Sequence, residues 1–459
     1  MAKEFRDCSI DQMFLLPPDI REWLPEGHRA WFISQTVDSL DLSRMEQSYW
    51  SKTGAGPRAY APRMMLKLLI YGYSVGLRSS RKLEVATHEQ VAFRVLSAGQ
   101  HPDHDTIASF RRENLSEVQG LFLQILGICK RAGLVKMGRL VLDGTKVKAS
   151  ANKSKSRTYQ QLNESEVELK RQVLEALEEA ERVDEEEDEL YGKGKTEEYL
   201  PEELSTHEKR LKVIEALKKK IEAEAESEKQ RIKAEVIKRR EEDRHWKEKT
   251  GEKFEGRYPQ EPGVGKKSLL AESRRNPTDF DSRNMKESQT GGFIQGYNCQ
   301  AVVDEGQIII ATQVTNQNND KALASVMMEL VKENTGELPE KLSADSGYFS
   351  ERDLVRLDAI DCYIPPLERD KGKRLIPAGD EKITITEAMR RKLQTPEGKT
   401  LYRKRKSIIE PVFGQIKETQ LFRSFCLRGI AKVSAEWSLV AMCHNLNKLF
   451  RAQPAFALK

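Results

Sequence analysis

The chain has 459 residues, 38% hydrophobic and 32% charged, with a formal net charge of +5. That length fits two to four domains. The longest apolar stretch, 64–77, is short and contains Lys67, which argues against a membrane span, and the first residues lack the apolar segment of a signal peptide. Six Cys are scattered with no C-x-x-C, so they read as reduced thiols of a cytosolic protein, not as a disulfide framework.

Residues 1–135 read as helical. Pro62 can open a helix whose faces carry Met64, Met65, Leu68, Leu69, Tyr71 and Tyr73. Ser79-Ser80 can cap the next, from Arg81 to about Val95, and Asp105 another through Ile107, Phe110, Arg111 and Arg112. Ser116 starts a further one, with Val118, Leu121, Phe122, Ile125 and Leu126 at helical spacing and Gly133 at its end. Short helices with Arg between them fit a helix-turn-helix-like DNA-binding module. An all-helical packing or dimerisation domain has the same pattern.

Residues 138–149 read as a strand, after which the composition changes. From 159 to 249 Glu and Lys dominate. Leu162, Leu169, Val173 and Leu177, then Leu211, Ile214, Leu217, Ile221 and Ala225, recur mostly at three- and four-residue steps. This predicts two long amphipathic helices of a coiled-coil arm, joined near 191–201. Such an arm reaches roughly 45–60 Å at 1.5 Å per residue. The acidic run 184–189 reads as a solvated face, and 251–267 as a return linker.

From 290 onward the texture is α/β. Residues 293–304 and 307–314 predict a hairpin turning at Asp304-Glu-Gly306. Asp320 caps a helix, 340–344 form a short strand ended by Asp345, Ser350 caps a helix, and 361–365 form another strand. The polar stretch 368–395 reads as a loop or small subdomain. A basic helix carrying Glu410 and a final amphipathic helix at about 431–450 follow.

Three carboxylates stand out in this order. Asp143 and Asp345 each end a short apolar run and precede small residues, which is how a strand delivers an acid to the rim of a sheet. Glu410 lies in the stretch 399–428, which is rich in Lys and Arg and carries Tyr402, Phe413, Phe422 and Phe425. Two strand-end Asp with a helical Glu suit a site for two hard divalent cations acting on phosphate. The basic stretch suits the phosphate backbone of DNA, although a solvated helix face would also be basic. Glu418 is the rival for the third acid, and Asp304 reads as a hairpin-turn residue. His101, Asp103, His104 and Asp105 look like a metal cluster but are poor in soft ligands. Asp279 and Asp281 could support the site or cap a turn.

The flanking words resemble the DDE transposases of bacterial insertion sequences. They are Pro102-Asp-His-Asp-Thr106 with Phe110-Arg111, Leu142-Asp143-Gly-Thr145, Gly291-Gly-Phe293 to Gly296-Tyr-Asn298, Ala344-Asp345-Ser-Gly-Tyr348, and Tyr402-Arg-Lys-Arg405 with Glu410-Pro-Val-Phe-Gly414 and Lys417. Each is weak alone; the order makes them specific. The resemblance implies a ribonuclease H-like mixed sheet flanked by helices, an N-terminal all-α domain and a helical insertion. On that reading 1–135 is the N-terminal, DNA-binding domain, 136–151 with 276–459 the catalytic domain, and 152–275 the coiled-coil insertion and linker. Asp143, Asp345 and Glu410 become the catalytic acids and ligands of two Mg²⁺, with Mn²⁺ as a substitute. Tyr402, Arg403, Arg405, Lys406, Lys417, Arg423, Arg111 and Arg112 become DNA contacts.

The family places Tyr, Arg, Glu and Lys on one element. The Glu410-to-Lys417 step matches, but the Arg405-to-Glu410 step is one residue longer than usual, so Lys406 competes with Arg405 for the Arg place. The implied activity is cutting at terminal inverted repeats of double-stranded DNA and joining to target DNA. The implied protein is a homodimer or higher oligomer, cytoplasmic, and nucleoid-associated when bound to DNA. A nuclease of the same fold that does not join, and a DNA-binding scaffold built on the arm, are the alternatives.

Overall fold

The computed structural model describes residues 19–50, 59–191, 202–250, 273–286, 291–366 and 384–452. In chain order the elements are α1 (Arg29–Asp38), α2 (Ser43–Trp50), α3 (Pro62–Ser74), α4 (Ser80–Glu89), α5 (Val91–Leu96), α6 (His104–Glu113), α7 (Val118–Arg131), β1 (Arg139–Lys148), β2 (Arg157–Thr158), α8 (Tyr159–Tyr191), α9 (Glu202–Thr250), β3 (Arg274–Arg275), β4 (Arg283–Lys286), β5 (Phe293–Asp304), β6 (Ile309–Thr315), α10 (Leu323–Thr335), β7 (Lys341–Ala344), α11 (Glu351–Arg356), β8 (Asp361–Tyr363), α12 (Ile385–Gln394), α13 (Pro396–Gly414) and α14 (Ile430–Ala452). The chain divides into two compact units, one of Met1–Val147 with Asn298–Lys459 and one of Lys148–Tyr297.

In the first unit the N-terminal helices follow their local signals closely. Pro62 stands at the first position of α3, where its missing N–H costs nothing. The helix buries Met65, Leu66, Leu68, Leu69, Ile70, Tyr71 and Tyr73, so it is surrounded rather than one-sided. The cap of α6 is Asp103, not Asp105: the Asp103 carboxylate accepts the Thr106 N–H at 2.7 Å. A short 3-10 turn at Leu115–Glu117 precedes α7, so that helix begins two residues after Ser116. Past its end Gly133 takes a φ of +71°, and the Leu134 N–H returns to the Cys129 carbonyl at 3.0 Å.

The sheet runs β5-β1-β7-β8, with β6 on the outer side of β5. β7 and β8 lie parallel to their neighbours, while β6 is antiparallel to β5. The first strand is central, a hairpin extends one side and helix-linked parallel strands extend the other, which is the ribonuclease H-like order. α14 packs on α7, α3 and β6 and so joins the helical region to the sheet in one core. Its Trp437, fully buried, donates from Nε1 to the Gln300 carbonyl at 2.9 Å. Its Asn445 bonds both the N–H and the C=O of Ile309 at 2.8 Å, which satisfies the outer rim of β6. Asp304 closes the hairpin turn: its carboxylate accepts the Ile308 and Lys136 N–H groups, each at 2.8 Å.

In the second unit β2 pairs with β3, and β4 pairs with residues 293–296 of β5. α8 and α9 pack together around Leu162, Ile214, Leu217 and Ile221, with Tyr159, Leu169 and Phe280 against them. α9 has 49 residues and so runs about 73 Å, longer than either helix expected from the sequence. Asp279 accepts the Tyr297 hydroxyl at 2.7 Å, and Asp281 pairs with Lys220 at 2.5 Å, so both have structural partners in this unit. The joint at 192–201, the return linker at 251–267, the first part of the polar stretch and the side chains of the acidic run 184–189 lie outside the described residues. The rest of that polar stretch is helical (α12), capped by Thr384 on the Glu387 N–H. No described helix is long and apolar enough to cross a membrane.

Candidate active site

The parallel register of β1 and β7 places the two aspartates. Leu140, Val141 and Leu142 pair with Leu342, Ser343 and Ala344, and the next residues are Asp143 and Asp345. Both carboxylates therefore stand just past the carboxyl end of the parallel β1–β7 pairing, the usual side for a site in an α/β sheet. β1 continues beyond Asp143 to Lys148, so Asp143 marks where the strand leaves β7 and is not the end of β1.

Each aspartate is fixed locally. Asp143 accepts the Gly144 N–H on one oxygen at 2.8 Å and Arg405 Nη1 on the other at 2.8 Å. Asp345 accepts the Gly347 N–H at 2.9 Å in a tight turn. Burial pushes the Asp143 carboxyl up to about 6, Arg405 opposes the rise, and the charge of Asp345 adds to it. Burial likewise raises Asp345, against the Gly347 N–H and Arg405 and with the charge of Asp320. A half-buried pair of acids with raised pKa values is a site that calls for positive charge.

Arg405 supplies that charge in this structure. It projects from the buried face of α13, beside Ile408, Ile409 and Val412, and its guanidinium lies 5.7 Å from the centre of the half-buried Tyr402 ring. Lys406, its rival for the Arg place, is exposed on the same helix. The pairing also removes Arg405 from the free cations expected on a DNA-facing surface, because its guanidinium is spent on Asp143. Glu410 is exposed, and its side chain makes no hydrogen bond or ion pair among the described residues. No three His, Cys, Asp or Glu among the described residues are close enough to hold a metal ion. The structure thus brings Asp143 and Asp345 together but does not gather Glu410 with them.

The remaining expected contacts divide by exposure. Arg403 and Lys406 are exposed on α13. Lys417 is half-buried in a π turn (Gln415–Thr419), where its charge reaches the buried Cys299. Arg423 is exposed and forms a two-pronged pair with Glu418 at 2.6 and 2.7 Å. Arg112 is exposed, whereas Arg111 donates to the Arg78 carbonyl at 2.9 Å and the Tyr73 hydroxyl at 3.3 Å, a packing role. Phe422 and Phe425 are buried edge to face and belong to the core, not to a base-stacking surface. His104 pairs with Glu84 at 2.8 Å and His101 stacks on His88, so the His-Asp cluster serves helix packing.

A polar group beside the aspartates was not singled out in the sequence. Asp320 does not cap α10; its Oδ1 accepts the Asn298 and Gln300 side chains at 2.7 and 2.8 Å. The Tyr348 hydroxyl donates to Gln300 Oε1. Lys146 feels the charges of Asp320, Asp345 and Asp143. A sequence signal existed: Asn298 and Gln300 stand two apart, on one face of a strand that is buried along nearly all its length. The oxygen-rich donor set (half-buried carboxylates beside the buried Asn298 amide, whose Oδ1 has no hydrogen-bond partner) fits a hard divalent cation.

Comparison with protein families matches a transposase domain (DUF772) over residues 18–113 and a transposase DDE domain over residues 272–446. The second match contains Asp345 and Glu410 but begins after Asp143. No curated protein and no solved structure gave a match. The chain belongs to the DDE transposases of insertion-sequence type and is a DNA transposase.

Proposed function

We propose that the protein cuts DNA at the ends of its transposon and joins the freed 3′-OH to target DNA, with Asp143, Asp345 and Glu410 holding two Mg²⁺, or Mn²⁺ in their place. The observation that carries this reading is the delivery of Asp143 and Asp345 by neighbouring parallel strands, one residue past the Leu142–Ala344 pair. When bound, two divalent ions stabilise negative charge at both ends of an in-line displacement on phosphorus.

The chain's own residues prepare that chemistry. Arg405 favours the ionised form of Asp143, the form a metal needs. Exposed Arg403, Lys404 and Lys406 offer α13 to the phosphate backbone, with affinity that falls as salt rises. The helical region 1–135 holds the terminal repeat, 136–151 with 276–459 does the chemistry, and the insertion 152–275 serves architecture in a dimer or higher oligomer.

Asp345→Asn tests the reading. It should abolish both cutting and the joining of a pre-cut end while binding to the terminal repeat survives. Retained strand transfer would sink the assignment. Joining of a pre-cut end by the unaltered protein separates a transposase that completes both steps from a nuclease that only cuts. Absence of any Mg²⁺-dependent cleavage would favour the scaffold instead.

A further inference from the structure

Asp320 precedes α10 where a capping residue would stand, yet the N-cap is Ala322, held at a φ of +63°. That left-handed conformation is unfavourable for a residue with a Cβ. The Asp320 carboxylate is turned instead toward the site, and its Oδ1 is held by two buried carboxamides, Asn298 Nδ2 at 2.7 Å and Gln300 Nε2 at 2.8 Å. Its other oxygen lies 3.5 Å from the point where a Cβ on Gly347 would stand, and Asp345 Oδ1 lies 3.0 Å from the same point. Two carboxylate oxygens therefore converge over Gly347, which has no side chain to separate them.

A second feature points to a ligand. Asn298 is fully buried, and its Oδ1 has no hydrogen-bond partner. That oxygen lies 3.0 Å from a Cβ position on Gly144, the residue after Asp143. A buried amide oxygen without a donor is uncommon and calls for one. Water carried by a cation would supply it.

We propose that Asp320 is a fourth carboxylate of the active site, a positioning residue that holds, together with Asn298 Oδ1, the water ligands of a hydrated divalent cation beside Asp345. The inference rests on the metal-dependent reading of Asp143 and Asp345 given above. Mg²⁺ gives up its waters reluctantly, so groups that grip those waters fix the ion without touching it. An outer role does not require three acids close enough to share an ion directly, and no three among the described residues are.

The test titrates Mn²⁺ alone into the full-length protein, read by electron paramagnetic resonance, for the unaltered chain, Asp320→Asn, Asp320→Ala and Asp345→Asn. Asparagine at 320 keeps an oxygen for both carboxamides and replaces the charged oxygen facing Asp345 with an amide NH₂, which cannot accept from a metal-bound water. Asp320→Asn should weaken Mn²⁺ binding roughly 10- to 100-fold with an unchanged unfolding midpoint, and should raise the Mg²⁺ concentration needed for half-maximal end cleavage in parallel. If Asp345→Asn loses Mn²⁺ while Asp320→Asn binds it like the unaltered chain, Asp320 is merely structural and the inference fails alone. If Asp345→Asn also binds normally, the metal-site reading fails and takes this inference with it.

Discussion

Arg405→Met tests what holds Asp143 ionised. The guanidinium sits 2.8 Å from Asp143 Oδ2, with 8% and 21% of the two side chains exposed. With Arg405 present, the Asp143 pKa is about 6. A hydrogen-bonded cation at such a site depresses a carboxyl pKa by about 1–3 units, so without it the value rises to about 7–9. At pH 7 the ionised fraction then falls from about nine-tenths to between about one-half and one-hundredth. Joining of a pre-cut end, followed from pH 6 to 9, should drop about 2- to 100-fold at pH 7 and recover as pH rises. Arg405→Lys should shift the profile less. The stability sign follows from the raised folded pKa. The contribution of Asp143 is fully present below 3.8 and lost as pH rises through about 6, and in the Met variant the loss extends through the higher value. The cost of the broken pair, about 1.4–4 kcal/mol for a shift of about 1–3 units, should therefore develop in urea unfolding as pH rises from about 6 to the higher value, because below about 6 Asp143 takes a proton in both proteins. An equal loss of joining at every pH would refute the reasoning and point to a lost DNA contact.

Glu436→Gln should destabilise the fold by about 2–4 kcal/mol in urea unfolding, because the buried carboxylate accepts the Tyr73 hydroxyl and the Cys426 and Leu427 N–H groups at 2.9–3.1 Å and an amide would face one of them with a donor. Burial lowers His444 to about 4, so its neutral form stabilises the fold above pH 6.5 and that contribution is lost as pH falls toward 4. His444→Gln should remove a slope of about 3 kcal/mol across that window, read as the difference between the two proteins; parallel profiles would contradict it. Fe²⁺ with peroxide, cutting the backbone near the bound ion, should cleave beside Asp143 and Asp345 in the free protein and near Glu410 only after transposon-end DNA is added. Equal cleavage near Glu410 without DNA would show a site already complete.

The strands and most helices were legible because their signals are local. Pro62 opening α3, Gly133 beyond α7 and the Asp304 hairpin each depend on residues within a few positions. The pairing of Asp143 with Asp345 was legible because both end apolar runs, and a parallel register turns equal strand-end positions into neighbours. Asp320 was misread for the same reason that capping is usually easy to read. An Asp just before a helical pattern is ordinarily its cap. Here two carboxamides from β5, 20 and 22 residues earlier, outbid the helix terminus. Arg111 was misread because an Arg at a helix end looks like a surface cation, and nothing local reveals that the Arg78 carbonyl and Tyr73 hydroxyl await it.

The extra residue between Arg405 and Glu410 explains why Glu410 stands apart from the two aspartates. At about 100° per residue, a four-residue step puts two side chains about 40° apart on a helix, and a five-residue step about 140° apart. Arg405 shares its face with Ile409, both buried against the sheet, while Glu410 shares the exposed face with Lys406. One helix in this register cannot turn both Arg405 and Glu410 toward Asp143. The backbone beyond Glu410 is suited to a change of register. Pro411 has no N–H for the Ser407 carbonyl, and the π turn at Gln415–Thr419 inserts an irregular turn within the same segment. That π turn also takes Lys417 off the face it would share with Glu410 in a regular helix. A segment already missing regular hydrogen bonds costs less to rotate than an ideal helix. The two aspartates are therefore built into the sheet, and on the proposed reading DNA and metal have to recruit the glutamate from the exposed face of α13.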